Sequence, residues 1–420
     1  MKNTPHAEHS VQFSLEWTAA LACFVVAGIT GTAFRLAAAG FEPLSGLNLG
    51  YVRNAHSHLM LFSWATPPLM ILMAQRLALK STQGGAKNFR ARTFRRIIRA
   101  AIMIGVLTFV PFLISGYTST KIGPISLPLT IIFSTLGMFV WYAFSLAYWR
   151  AREGLARDSV WRLWDWANAF LCLSTLGAWA RGAFIGMKVT DARLTHGSIQ
   201  FFVITFSFGW LTLGMLGEFH RRRNTQPGRA ADLGTALLAA GIPLIFISAQ
   251  TAQIPSILSA CGHLSALAVG VGLSLHLYTL RESGGIRWRN PSIIALIFVA
   301  GAMLISAVPP ILNWANTTGL RLIFVHLLLL GVVTMGLLEV YPRATPIKAR
   351  GLMPAAILIL LATMLPTTGL WPRALYTPWT FYFVALGSTA PWLGGTWILM
   401  ESYRLSAIKE ARPSPEQTAR

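Results

Sequence analysis

Residues 55–75 read AHSHLMLFSWATPPLMILMAQ. Beyond two histidines at its start the stretch carries no charged side chain, and it has the roughly 20 residues that a bilayer core requires of a helix. Working outward, further apolar runs of that length occupy 16–38, 97–116, 124–149, 164–187, 194–218, 231–250, 255–280, 291–312, 320–341, 352–370 and 377–402. The reading is all-α: a polytopic membrane bundle of about 12 transmembrane helices. Composition agrees, with 54% hydrophobic residues, 12% charged and a mean hydropathy of +0.55, which is too apolar for a water-soluble chain of 420 residues. Residues 16–402 form one transmembrane domain between two short tails, 1–15 and 403–420. The first fifteen residues lack a cleavable leader pattern, so the first apolar run is expected to be retained as a span.

A formal charge of +21 raises nucleic acid as a partner. Its distribution argues otherwise. With the N-terminus in the cytoplasm, 27 of the 35 basic residues fall on the cytoplasmic side of the twelve spans and eight on the other, as the positive-inside bias requires. Both termini are therefore expected in the cytoplasm of a bacterial inner membrane, with the lipid bilayer and no nucleic acid as partner. The run Lys87 to Arg99 reads as an anchor on anionic lipid, and Trp161, Trp164, Trp166, Trp314, Trp371 and Trp379 as interfacial belts near span ends. Cys23, Cys172 and Cys261 lie far apart inside apolar runs and read as packing residues.

Chemistry concentrates in the histidines. His6, His9 and His220 read as solvated, in the tail and a basic loop. The other six, His56, His58, His196, His263, His276 and His326, all fall on the second, sixth, eighth and tenth spans. All but His276 lie within roughly 12 Å of the periplasmic face at a helical rise of ~1.5 Å per residue. Ionisable groups in spans are costly and mark function by default. His58, His196 and His326 stand on every fourth span, and each is preceded by an arginine: Arg53, Arg193 and Arg321. That pattern suggests three pseudo-repeated four-helix units. Neutral imidazole ligates iron or copper, and arginine at the same depth can pair with haem propionates. His56 and His58 are two residues apart, about 200° around a helix, so one of them and not both would ligate a given haem.

The residues HSHLMLFSWA at 56–65 resemble the second helix of the NnrS-type membrane haem and copper proteins, and more distantly that of haem–copper oxidase subunit I. FVHLLLLGVVTMGLLEVYPRA at 324–344 is similar to another histidine-bearing NnrS-type segment. The resemblance implies haem toward the periplasm in three groups of four helices, and a role in nitric oxide, nitrogen-oxide or oxygen metabolism. It carries over His56 or His58, and His326, as haem ligands. Leu59 and Ser63 depart from the acidic residue and glycine of the NnrS pattern, and the oxidase copper histidines have no counterpart on the seventh span.

Sequence alone thus points to a haem protein, with copper as an open addition. His58 and His326 are the first choice of iron ligands, Arg53 and Arg321 would hold propionates, and His196 and His263 are candidate metal or second-haem ligands. A small gas (NO or O2) and an electron donor or respiratory subunit are the partners this implies. Whether the protein is an enzyme stays open, because the oxidase-type ligand set is incomplete. Two alternatives stand beside this reading: a twelve-helix secondary transporter, for which Pro67 and Pro68 in the second span are the relevant feature, and a non-catalytic subunit or assembly factor of a respiratory complex.

Overall fold

The computed structural model of the chain describes residues 13–225, 228–250, 254–283, 290–340 and 347–411. The expected readings at His6, His9, Lys2, Arg287, Arg289, Arg343, Arg412 and Arg420 lie outside the described residues. The architecture is all-α. In chain order the helices are α1 (Ser14–Ala38), α2 (Leu49–Thr82), α3 (Ala91–Ser115), α4 (Leu129–Arg152), α5 (Ser159–Gly186), α6 (Ala192–Arg223), α7 (Arg229–Gly241), α8 (Ser256–Glu282), α9 (Pro291–Ser306), α10 (Pro309–Thr317), α11 (Leu320–Val340), α12 (Ile347–Thr363) and α13 (Pro378–Arg404). Between α3 and α4 a hairpin pairs β1 (Thr120–Ile122) with β2 (Ile125–Leu127), antiparallel with Ile122 opposite Ile125. Gly123 makes its turn at φ 60°, where a Cβ would be strained.

Among the described residues nine helices are long and apolar enough to cross a membrane, ten if α9 and α10 count as one broken span. Their outer faces suit a bilayer: Met103, Val106, Leu107, Val110 and Ile114 on α3 are 41–64% exposed, at the i, i+3, i+4, i+7 spacing of a single helical stripe. Water would not support such a face; lipid does.

Three expected spans depart from regular crossings. The stretch 231–250 contains only the 13-residue α7 followed by a 3-10 turn, Ile245–Ala249; Pro243 supplies no N–H to carry the helix on, and 13 residues rise only about 20 Å. The stretch 352–370 has a 17-residue helix, α12, ending before Pro366. The stretch 291–312 bends by 115° between α9 and α10, where Pro309 and Pro310 start a new helix. By contrast α2 runs unbroken through Pro67 and Pro68 for 34 residues. Its segment Leu59–Ala65 is π-helical, and Thr66 Oγ1 donates to Leu61 O at 2.8 Å, taking up a carbonyl that the wider turn frees.

Two other helices share this feature: Thr205–Thr212 in α6 and Leu327–Thr334 in α11 are also π-helical. Helices α2, α6 and α11 are the innermost. Their apolar windows are 78%, 72% and 61% buried, against 39% or less for the other spans. Buried hydrogen bonds join them: Trp64 Nε1 donates to Thr334 Oγ1 at 2.9 Å, and Trp210 Nε1 to Thr66 Oγ1 at 3.2 Å. Trp161 and Trp164, expected as interfacial belts, are 2% and 0% exposed. They belong to the core because Trp164 Nε1 finds Gly214 O at 2.9 Å and the Arg76 guanidinium lies 4.8 Å from the Trp161 ring. Trp166, Trp314 and Trp379 are exposed, as expected. The three cysteines are free.

Helix α6 also approaches α5 closely. A Cβ on Gly177 would sit 2.4 Å from Ser198 O and 2.7 Å from Phe202 N, both backbone atoms that cannot swing aside. We expect Gly177→Ala to destabilise by about 1–3 kcal/mol, read as a lower unfolding temperature in detergent. Gly182→Ala, whose Cβ would meet nothing within 4 Å, should leave it unchanged.

Candidate cofactor site

His56 and His58 occupy the first turns of α2, ahead of its π-helical segment. As their spacing requires, the rings point to opposite sides. His56 Nδ1 lies 2.7 Å from Ala27 O on α1, and the ring has room because residue 31 is glycine: a Cβ there would come within 2.9 Å of His56 Cε1. His58 turns to α3. Its Nδ1 is 2.9 Å from Asn54 O, and its ring lies 4.0 Å from Phe112 and 4.8 Å from Phe62 between centroids. On α11, His326 Nδ1 is 2.8 Å from Leu322 O.

These three histidines share one state. A backbone carbonyl only accepts, so each Nδ1 carries the proton and the neutral ring leaves the Nε2 lone pair available. A metal-binding histidine is usually oriented in this way.

His56 has company that His58 lacks. The Arg35 guanidinium, at the end of α1, is within electrostatic reach of both His56 and His326, and those two rings are within reach of each other. Arg35 Nη1 is buried and has no hydrogen-bond partner among the described residues. A buried guanidinium nitrogen without an acceptor is costly, and an anionic group placed beside it would offset that cost. Arg35 was missed in the sequence, where an arginine at a span end looks like any snorkelling anchor.

The other candidates sit elsewhere. Arg53 is exposed. Arg321 donates to Gln200 Oε1 and, at 3.4 Å, to Ala249 O. Gln200 Nε2 in turn donates to His196 Nε2 at 2.9 Å, and His196 Nδ1 faces Gln250 Oε1 at 3.4 Å. Both ring nitrogens of His196 are thus engaged in a network that joins α6, the 245–250 turn and α11. Arg193 pairs with Asp191 at 3.0 Å and not with the histidine that follows it; its side chain and backbone N–H hold the Asp191 carboxyl below the usual carboxylate range. His263 is half-buried with Nδ1 unpartnered among the described residues. No group of three or more His, Cys, Asp or Glu side chains among the described residues is placed to hold a metal ion.

His220 is a correction. Expected in a solvated loop, it is fully buried, because α6 continues through Arg223 and carries it inward. Its Nε2 lies 3.0 Å from Nδ1 of His276, also fully buried. No protein-family model matches the chain, and no curated protein does.

Proposed function

We propose that the chain is a haem-binding inner-membrane protein in which His56 and His326 ligate the iron and Arg35 holds a propionate. The observation that carries this is the corner itself: two imidazoles from different helices, each with Nδ1 tied to a carbonyl and, among the described residues, no partner at Nε2, within electrostatic reach of a half-buried arginine whose buried Nη1 has no acceptor among those residues. Haem would fit that donor set, since its iron takes imidazole nitrogen and it brings carboxylates of its own. The resemblance of residues 56–65 and 324–344 to NnrS-type segments points the same way. When bound, the group would supply one-electron chemistry. Held by two histidines, it would favour electron transfer in nitrogen-oxide or oxygen metabolism over gas capture. The protein's own share is to fix both tautomers through Ala27 and Leu322 and to keep Arg35 Nη1 out of water. Copper through His196 and His263 forms no part of this reading, because both ring nitrogens of His196 already have partners.

We further propose twelve crossings with both termini cytoplasmic, on the distribution of basic residues, and a threefold repeat centred on α2, α6 and α11. Thr66, Thr212 and Thr334 stand at the end of, or just after, their π-helical segments. Trp64 and Trp210 each precede such a threonine by two and donate to the threonine of another of these helices; Val332 occupies the third place. In this register His58 matches His326 and Arg53 matches Arg321, while the matching residue on α6 is Ile204 and not His196. Repeat-related side chains point into successive gaps around an axis, so His58 and His326 would face different gaps. His56, on the other side of α2, shares one with His326.

The test is an absorption spectrum of protein purified in detergent from haem-replete cells, oxidised and dithionite-reduced, with iron analysis. A Soret band that sharpens on reduction is expected, and colourless, iron-free protein overturns the reading. Arg35→Gln should weaken haem retention by about tenfold without removing the band's low-spin character.

A further inference from the structure

The His220–His276 pair lies at the opposite end of α6 from His196 and takes no part in the proposed site. His220 Nδ1 is 2.6 Å from Thr225 Oγ1, and His276 Nε2 is 3.4 Å from Thr235 Oγ1. Thr235 Oγ1 donates to Ala231 O at 2.8 Å. The protons can be assigned from that end. Thr235 has spent its only hydrogen, so its oxygen accepts and His276 Nε2 carries a proton. Neutral His276 then accepts at Nδ1, so His220 Nε2 carries a proton, and His220 Nδ1 accepts from the Thr225 hydroxyl, whose 2.6 Å contact with the ring outcompetes its 3.4 Å contact with His220 O. All four ring nitrogens are used, and the chain ends at a carbonyl. It ties together α6, the turn at 224–225, α7 and α8. Gly234 makes the packing possible: a Cβ there would lie 3.0 Å from Gly272 O and 3.1 Å from His276 Cδ2.

This arrangement has no place for two charges. One extra proton could enter at His220 Nδ1 if the Thr225 hydroxyl turned. A second would set N–H against N–H across the 3.0 Å contact. Among the described residues no carboxylate hydrogen-bonds either ring. The charged groups on the packed elements are Glu218 and Arg221 to Arg223 on α6, Arg229 and Asp232 on α7, and Arg281 and Glu282 on α8. Glu218 is ion-paired with Arg221 and Arg222, and Asp232 with Arg162.

We propose that His220 and His276 form an acid-released latch, which holds the ends of α6 and α8 together while both rings are neutral and opens when both take protons from water. The sign follows from linkage. The closed state excludes the second proton and the open state does not, so closure is complete above the ordinary imidazole value of about 6.5. Below it, closure weakens by up to about tenfold per pH unit for the one proton that the closed state excludes.

Hydrogen–deuterium exchange of the full chain in detergent, from pH 8 to pH 5 and corrected for intrinsic rates, tests this. Peptides from 213–241 and 265–282 should hold nearly constant protection from pH 8 to pH 7 and lose up to about tenfold per unit below pH 6.5. Peptides from 91–152, which contain no histidine, should not change. The double variant His220→Phe/His276→Leu should lose the pH dependence. Flat protection in the wild type, an equal loss in 91–152, or pH dependence that survives in a folded double variant would each overturn the proposal; if the double variant does not fold, the wild-type profile decides alone.

Discussion

His56→Ala and His326→Ala should each reduce the haem that survives purification by about tenfold or more, while His58→Ala should leave it nearly intact. The three substitutions remove the same chemical group, and two of them are neighbours on one helix, so the series isolates direction from composition. His56 faces α1, Arg35 and His326; His58 packs against Phe112 with the rings tilted by 36°. Loss of the His58 ring therefore opens space in an aromatic cluster and should lower the unfolding temperature without bleaching the protein. The readout is the haem-to-protein ratio from absorbance, with the low-spin spectrum of a two-histidine iron in the wild type as reference. If His58→Ala bleaches and His56→Ala does not, the ligand lies on the other face of α2 and the proposed site is wrong.

The choice between those two histidines shows where sequence reasoning stopped. Apolar length and the absence of charge placed helices at all twelve expected stretches, because the cost of an unpaired backbone group in lipid leaves little other option. Those same signals could not tell a regular helical crossing from a stretch whose helix is cut short, since Pro243 and Pro366 end two of the helices by removing N–H groups inside runs that remain apolar. The intramembrane histidines were legible through their cost. Their partners were not: Ala27 O, Leu322 O and Arg35 are contacts between or along helices that no spacing rule encodes, and His220 was misjudged because three arginines follow it. The proposed repeat takes a different register from the one the histidines suggest. Counting from histidine to histidine tied His196 to His58, whereas the π-helical segments and the threonines Thr66, Thr212 and Thr334 set a register in which Ile204 matches His58.

Glu218→Ala should be the most damaging single change away from the histidines. The carboxylate is fully buried, accepts from Arg221 Nε at 2.6 Å and Nη2 at 2.7 Å, and from Arg222 Nε at 3.2 Å. Arg222 then reaches across to Glu339 O, so Glu218 fixes the end of α6 against the end of α11. Removing one member of a buried ion pair costs about 3–5 kcal/mol, chiefly because the remaining charge loses its partner. The two arginines keep 37% and 30% exposure, so water takes up part of that loss and about 2–3 kcal/mol is the expected effect. Glu218→Gln should fall between wild type and alanine, since an amide oxygen still accepts one guanidinium hydrogen while the charge attraction is gone. Tryptophan-fluorescence melting in detergent would rank the three. Equal melting of all three would mean that the cluster only neutralises itself, and that the end of α6 is held by the packing of Gly217 against Trp164, where a Cβ would come within 2.5 Å of the indole.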